Sequence, residues 1–294
     1  MMSNILLHES DLGLLNDLHN HMYLDMEYIR LKDYPNHTPK SVSNRLRKLA
    51  KENYIKYEQL PLSSTRSEAR KSGRPEHVFT LTRKGVDIVR GLKGEVHWKS
   101  SWSQRSATFV YHSLMLARIE CAMTLSSQQE GRLELKEWIN EPCATFQYAK
   151  GKDRVLRPDG VAIVGLKEEV DKNLGVFIEM ERSYGSKSVL EKKILRYNDF
   201  LQREEKLADY RMHMGMAYEV PKAKAVPGKD VSVPLWRLVF VAGSESREKE
   251  LIRYLKDVSS PDIPVYITRY EEILQDPFGS IYRNIRNTDK KVRL

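Results

Sequence analysis

"RPDGVAIV" (157–164) and "GVFIEMERS" (175–183) decide how the second half of this chain is read. Each is a short apolar run bounded by turn residues, which predicts a strand, and the polar stretch "GLKEEVDKNLG" (165–175) between them reads as a hairpin connection. Asp159 stands at the mouth of the first strand. Glu179 and Glu181 stand two apart in the second. Alternate residues of a strand share a face, so two like charges are placed side by side where they repel. Ile178 and Met180 take the opposite face, and the glutamate face is expected to meet either water or a site.

Two readings of these acids stay open. In the first, Asp159, Glu179 and Glu181 converge on one divalent cation, and their hard oxygen donors suit Mg²⁺ or Mn²⁺. Such an ion would hold a scissile phosphate oxygen, lower the pKa of an attacking water and stabilise the leaving oxyanion. Lys193 and Tyr197 lie four apart on a helix predicted over 186–206, so they share a face from which Lys193 neutralises transition-state charge. In the second reading Asp159 caps a turn before Gly160, and the glutamates pair with Arg157, Arg182 or Lys193 across a solvated sheet face.

"RPDG", "IEMER" and the helical "KILRY" (193–197) resemble the PD-(D/E)XK nuclease superfamily. The resemblance implies catalytic residues Asp159, Glu179, Glu181 and Lys193, with Asp159, Glu179 and Glu181 as metal ligands. Glu181 stands where that superfamily usually has lysine. Either Lys193 supplies the cation from the helix, or the fold is kept and hydrolysis is lost. Glu137 and Glu141 are further acids upstream.

The first half has a different character. Residues 1–37 carry 2 Lys/Arg against 6 Asp/Glu, and residues 38–93 carry 14 against 5, so the net charge of +9 is concentrated in one short segment. That is the electrostatic footprint of a nucleic-acid contact surface. Ser10 or Asp11 is placed to cap a first helix with Leu12, Leu15, Leu18 and Met22 on one side, and a second short helix is predicted over 25–32. Thr38 at the N-cap and Pro39 at N1 start a third, whose apolar stripe is Val42, Leu46, Leu49 and Ala50. Its opposite face gathers Lys40, Ser41, Asn44, Arg47, Lys48 and Lys51. Basic and amide side chains on one helix face suit the major groove. Strands are predicted at 53–62 and 74–82 and a helix at 81–92. Between the strands, the tip "SSTRSEARKSGRP" (63–75) offers Arg66, Arg70, Lys71 and Arg74 as a wing.

Further along, "SATFVYHSLMLARIECAMTLSSQQEG" (106–131) reads as a buried joining helix, and 133–142 as a strand or irregular segment. A strand at 235–243, a helix at 245–257 and a strand at 263–270 complete a β-α-β pattern, giving a small mixed sheet flanked by helices. The expected fold class is therefore α+β. An N-terminal winged helix-turn-helix domain (1–93) is followed by a linker and joining helix (94–130) and a mixed α/β, PD-(D/E)XK-like domain (131–294).

Two cysteines exclude a disulfide framework or a Cys-based zinc site. No apolar run approaches the roughly 20 residues of a membrane span, and Glu9 and Asp11 interrupt any signal-like apolar run, so a cytoplasmic location is expected. No glycine-rich phosphate loop, GxSxG or HExxH is present, and the two histidines of "LHNHM" (18–22) point apart on a helix.

Taken in order, the winged helix, "FVYHSLMLARIE", "RPDGVAIV", "GVFIEMERS", "SVLEKKILRYNDF" and "PVYITRYEEILQDPFGSIYR" resemble the replication-relaxation family of plasmid-borne bacterial proteins. The resemblance covers about residues 10–285. It implies a duplex-DNA-binding protein of plasmid or mobile-element replication and relaxation, with metal-dependent nicking left open. Its DNA would be a plasmid origin, a transfer origin or an operator. Its partners would be a second copy of the chain and replication or conjugation proteins. The alternative is a transcriptional or copy-number regulator whose second domain is catalytically inactive and serves dimerisation or partner binding.

Overall fold

The structure is a computed structural model that describes residues 5–60, 77–94, 96, 98–129, 132–152, 154–169, 173–182, 185–207, 209–210, 233 and 235–294. The chain is mixed α+β and divides into two compact units, Met1–Cys121 and Ala122–Leu294. Among the described residues, no helix is long and apolar enough to cross a membrane.

In the first unit, helix α1 (Glu9–His21) leads into β1 (Leu24–Asp25) and then α2 (Met26–Tyr28), which continues as a π-helical turn, Ile29–Asp33. Helix α3 (Pro39–Lys51), β2 (Ile55–Gln59), β3 (His77–Leu81) and α4 (Arg83–Lys93) follow, and α5 (Ala107–Gln129) closes the unit. The unit boundary falls inside α5. α1 starts earlier than expected from Ser10 or Asp11 as its cap, by two or three residues: His8 is the N-cap, and Asp11, in the first turn, accepts a hydrogen bond from the His8 N–H at 2.7 Å. β1 was not legible either, because two residues show no period. It pairs with β3, setting the sheet order β1-β3-β2.

Thr82 caps α4 by accepting from the Gly85 N–H. A Cβ on Gly85 would lie 2.2 Å from the Tyr54 carbonyl oxygen, so only glycine lets this helix approach the start of β2 so closely.

In the second unit β4 (Leu133–Asn140), β7 (Gly160–Leu166) and β8 (Asn173–Glu181) form an antiparallel meander. A short helix, α6 (Glu141–Ala144), and the small β5–β6 hairpin (Phe146–Gln147 with Val155–Leu156) lie between β4 and β7 in the chain. Helix α7 (Lys187–Leu201) then crosses to β9 (Leu235–Ala242), parallel to β8, and α8 (Glu245–Leu255) crosses to β10 (Val265–Arg269), parallel to β9. These parallel neighbours need crossovers, and the helices supply them. After the short α9 (Tyr270–Gln275), β11 (Tyr282–Asn284) and β12 (Asn287–Val292) extend the sheet, giving the order β12-β11-β10-β9-β8-β7-β4 among the described residues. The last two strands had no sequence expectation, since "NTDKKV" shows no apolar alternation.

β8 is an interior strand of this sheet, between β7 and β9, and is buried on both faces. One face packs Val161, Ile163, Phe177, Leu238 and Phe240 against Leu190, Ile194, Tyr197 and Phe200 of α7 and Leu251 and Leu255 of α8. Each such side chain stabilises the fold by about 1.5–3 kcal/mol. Phe177 stacks on Trp236 with ring centroids 4.5 Å apart. Trp236 fits because residue 175 is glycine, where a Cβ would come within 2.5 Å of the indole.

Candidate functional site

Two groups of side chains came forward from the sequence, one in each unit. On α3, Thr38 accepts from the Ser41 N–H and Pro39 occupies the first turn, as expected. Val42, Leu46 and Leu49 are buried, while Ala50 is only partly so. Lys40, Ser41, Asn44, Arg47, Lys48 and Lys51 are all exposed along one face. Arg47 donates to Asn44 Oδ1 across 3.3 Å, one helical turn apart.

A further residue of this helix, which no local pattern singles out, ties it to α1. Arg45 leaves α3 sideways and pairs with Asp11 of α1, its Nε donating to Oδ1 at 2.8 Å and its NH2 to Oδ2. The Tyr34 hydroxyl donates to the same Oδ1 at 2.6 Å, and Arg45 NH2 also reaches the Leu6 carbonyl. Burial alone would raise the Asp11 carboxyl, yet the hydrogen bonds from Arg45, Tyr34 and the His8 N–H hold it below the usual range. The sequence offered Asp11 only as a cap.

A second polar core in this unit was not foreseen. Lys32 sits 2.8 Å from Glu120 Oε1 and 2.9 Å from Asp17 Oδ2, and the Tyr28 hydroxyl donates to Glu120 Oε2 at 2.7 Å. Burial opposes ionisation of Glu120, but His21 and Lys32 hold its carboxyl far below the usual range. Asp33 behaves oppositely, pushed up to about 9 by burial and then by the charge of Asp17. These side chains tie α1, the π turn and α5 together.

In the α/β unit the glutamate face meets neither water nor an open site. Glu179 and Glu181 are buried, and basic side chains from α7 and α8 cover them. Lys193 Nζ lies 2.7 Å from Glu179 Oε2 and 3.0 Å from Glu181 Oε1. The Tyr197 hydroxyl donates to Glu179 Oε1 at 2.6 Å, and Arg247 NH2 donates to Glu181 Oε2 at 2.8 Å. Every oxygen of the two carboxylates therefore has a donor on it. Asp159 Oδ2 accepts from the Met180 N–H at 2.7 Å and the Asp159 N–H donates to the Ile178 carbonyl, so this aspartate prolongs the β7–β8 ladder. Burial raises the Glu179 carboxyl above the usual range against the pull of Lys193. Lys193 itself stays strongly basic, the two glutamates outweighing its own desolvation.

This arrangement brings the four residues Asp159, Glu179, Glu181 and Lys193 together, but the acids are turned to internal donors. Among the described residues no group of three or more His, Cys, Asp or Glu is placed to hold a metal ion. As they stand, the residues do not fit a divalent cation, because an ammonium already lies between the two glutamates. Of the pairings in the second reading, the one with Lys193 is present, but on a buried and not a solvated face, and Arg247 adds a further partner. Arg247 lies 66 residues beyond Glu181, and no local pattern in the sequence points to it. Glu137 is mostly buried on the edge strand β4, and burial raises its carboxyl to about 7. Arg66, Arg70, Lys71 and Arg74 lie outside the described residues.

The family model described as replication-relaxation matches residues 15–213, which span both groups. No curated protein and no solved structure matches the chain.

Proposed function

The chain belongs to the replication-relaxation family, and from that premise we propose that it is a duplex-DNA-binding protein acting in the replication or relaxation of a plasmid or related mobile element. The observation that carries this reading is the face of α3. Six polar or basic side chains are exposed in a row, with no acidic residue among them, on a helix whose other side is anchored in a core. Lysines and arginines there neutralise phosphates and release counterions, and Asn44 and Arg47 carry the groups that pair with base edges.

In this reading the first unit is a winged helix-turn-helix module. The order helix, strand, helix, helix, strand, strand and the β1-β3-β2 sheet support it. Arg66, Arg70, Lys71 and Arg74 would be the basic tip of the wing, on sequence grounds alone. The α/β unit is a PD-(D/E)XK-like framework in which Lys193 and Arg247 neutralise the acidic cluster from within. It serves assembly or partner binding on the same DNA, an origin or operator of the replicon. The saturation of Glu179 and Glu181 supports this over a Mg²⁺- or Mn²⁺-dependent nick.

The test is a titration of duplex DNA from the protein's own replicon at several salt concentrations, comparing the wild type with the Lys48→Ala/Lys51→Ala double variant. Each phosphate contact contributes about 0.9 to the slope of log K against log salt, so the variant should bind more weakly with a slope shallower by about 2. Unchanged affinity and slope would remove α3 from the interface.

A further inference from the structure

Resting on the reading of α3 as a DNA-contacting helix, we infer that Asn44 and Arg47 are its base-reading pair and that the preferred duplex carries an adenine beside a guanine on one strand, with Lys40, Lys48 and Lys51 serving only as phosphate contacts.

The argument begins with position. At 100° per residue, Lys40, Asn44, Arg47 and Lys51 fall within about 60° of one another, opposite the buried Val42, Leu46 and Leu49. Within that stripe Asn44 and Arg47 occupy the middle turns, and the two lysines occupy the first and last. Lys40 and Lys51 are separated by about 16 Å along the axis, at 1.5 Å per residue. The middle of a helix laid in a groove about 12 Å wide lies over the base edges, while its ends rise toward the flanking phosphates. Lys48 lies off the stripe, on the Ser41 flank, where it faces one backbone.

Chemistry follows the same division. The middle positions hold an amide and a guanidinium, planar groups able to form two parallel hydrogen bonds. Asn pairs in this way with adenine N6 and N7, and Arg with guanine O6 and N7. The end and flank positions hold ammonium groups, which act as point charges on phosphate. Asn44 and Arg47 are three residues apart, about 4.5 Å along the axis and close to one base-pair step of about 3.4 Å. Adjacent side chains therefore meet adjacent base pairs. Arg47 NH1 donates to Asn44 Oδ1 at 3.3 Å, so the two side chains lie side by side on the helix face. Arg45, the other arginine of the helix, is removed from the groove by its pairing with Asp11.

The experiment is selection from a randomised duplex library with the full-length protein, followed by affinity measurement on selected and scrambled duplexes. The wild type should enrich a site with an adjacent adenine and guanine. Asn44→Ala should lose the adenine preference and Arg47→Ala the guanine preference, each cutting discrimination by about 5- to 150-fold while affinity for scrambled DNA changes far less. Arg47→Lys keeps the charge but loses the rigid fork, and should weaken the guanine preference less than Arg47→Ala does. Lys48→Ala should weaken binding to every duplex alike and leave the selected site unchanged. These side chains are exposed, so the variants keep the fold, which circular dichroism would register. An unchanged selected site in both Asn44→Ala and Arg47→Ala overturns the inference while the DNA-binding reading stands. A wild type that binds no duplex overturns both.

Discussion

Lys193 and Glu179 form an ion pair of 2.7 Å that closes the centre of the α/β unit, with the glutamate buried in the sheet and the lysine reaching in from α7. The same ammonium bridges to Glu181, so one cation relieves the repulsion between two acids on one strand face.

Removing the lysine strands a buried carboxylate. Lys193→Met is expected to destabilise the protein by about 3 kcal/mol, the lower end of the range for breaking a buried pair, because the lysine keeps partial access to water. Urea denaturation followed by circular dichroism would measure it, and a change below about 0.5 kcal/mol would show that the pair contributes no more than a surface salt bridge.

Reactivity toward DNA should be independent of added metal. Supercoiled plasmid from the protein's replicon is expected to stay intact with wild type, Asp159→Ala and Glu179→Ala alike, with Mg²⁺, with Mn²⁺ or with chelator, since the carboxylate oxygens already have internal donors. Nicking that requires metal and disappears in both variants would restore the nuclease reading.

Glu137 makes a pH-dependent prediction. Burial raises its folded carboxyl from an ordinary 4.5 to about 7, so the folded state holds the proton more tightly than the unfolded chain. Its burial is harmless below about pH 4.5 and costs stability progressively as pH rises through about 7. Glu137→Gln should therefore be neutral near pH 4.5 and stabilising by about 1–3 kcal/mol at pH 8. Denaturation midpoints at the two pH values would give this difference; an equal effect at both would mean that the carboxyl is solvated.

Asp11 should behave in the opposite sense. Its folded carboxyl lies below 3.8, so its contribution is present above that value and is lost as pH falls through the folded value. At pH 7, Asp11→Ala is expected to cost about 3 kcal/mol, because Arg45 and the Tyr34 hydroxyl lose their buried acceptor. The substitution should also weaken DNA binding, although Asp11 is fully buried. Normal affinity in a folded Asp11→Ala protein would show that α3 holds its orientation without the clamp.

How much of this was legible before the structure follows from the range of the interactions. The cap at Thr38, the apolar stripe of α3 and its exposed basic face depend on residues within one helix, and they stand as expected. The hairpin of β7 and β8 and the helices that follow were equally plain, because turn chemistry and apolar periodicity act over a few residues. The helix predicted over 186–206 nonetheless ends at Leu201.

What the chain alone determined, then, was its longer helices and the strands with apolar periodicity, the concentration of positive charge in residues 38–93 and the gathering of acids on one strand. The tertiary structure decided what those acids face. Period-two alternation places Glu179 and Glu181 on one side of a strand without saying whether water, metal or protein lies over it. Arg247, from 66 residues further along, and Lys193, from the crossover helix, settle that through contacts made only when the sheet and its helices close. The same holds for Arg45 and Asp11, 34 residues apart, whose pairing ties to α1 a helix that local sequence could start and stop but could not place.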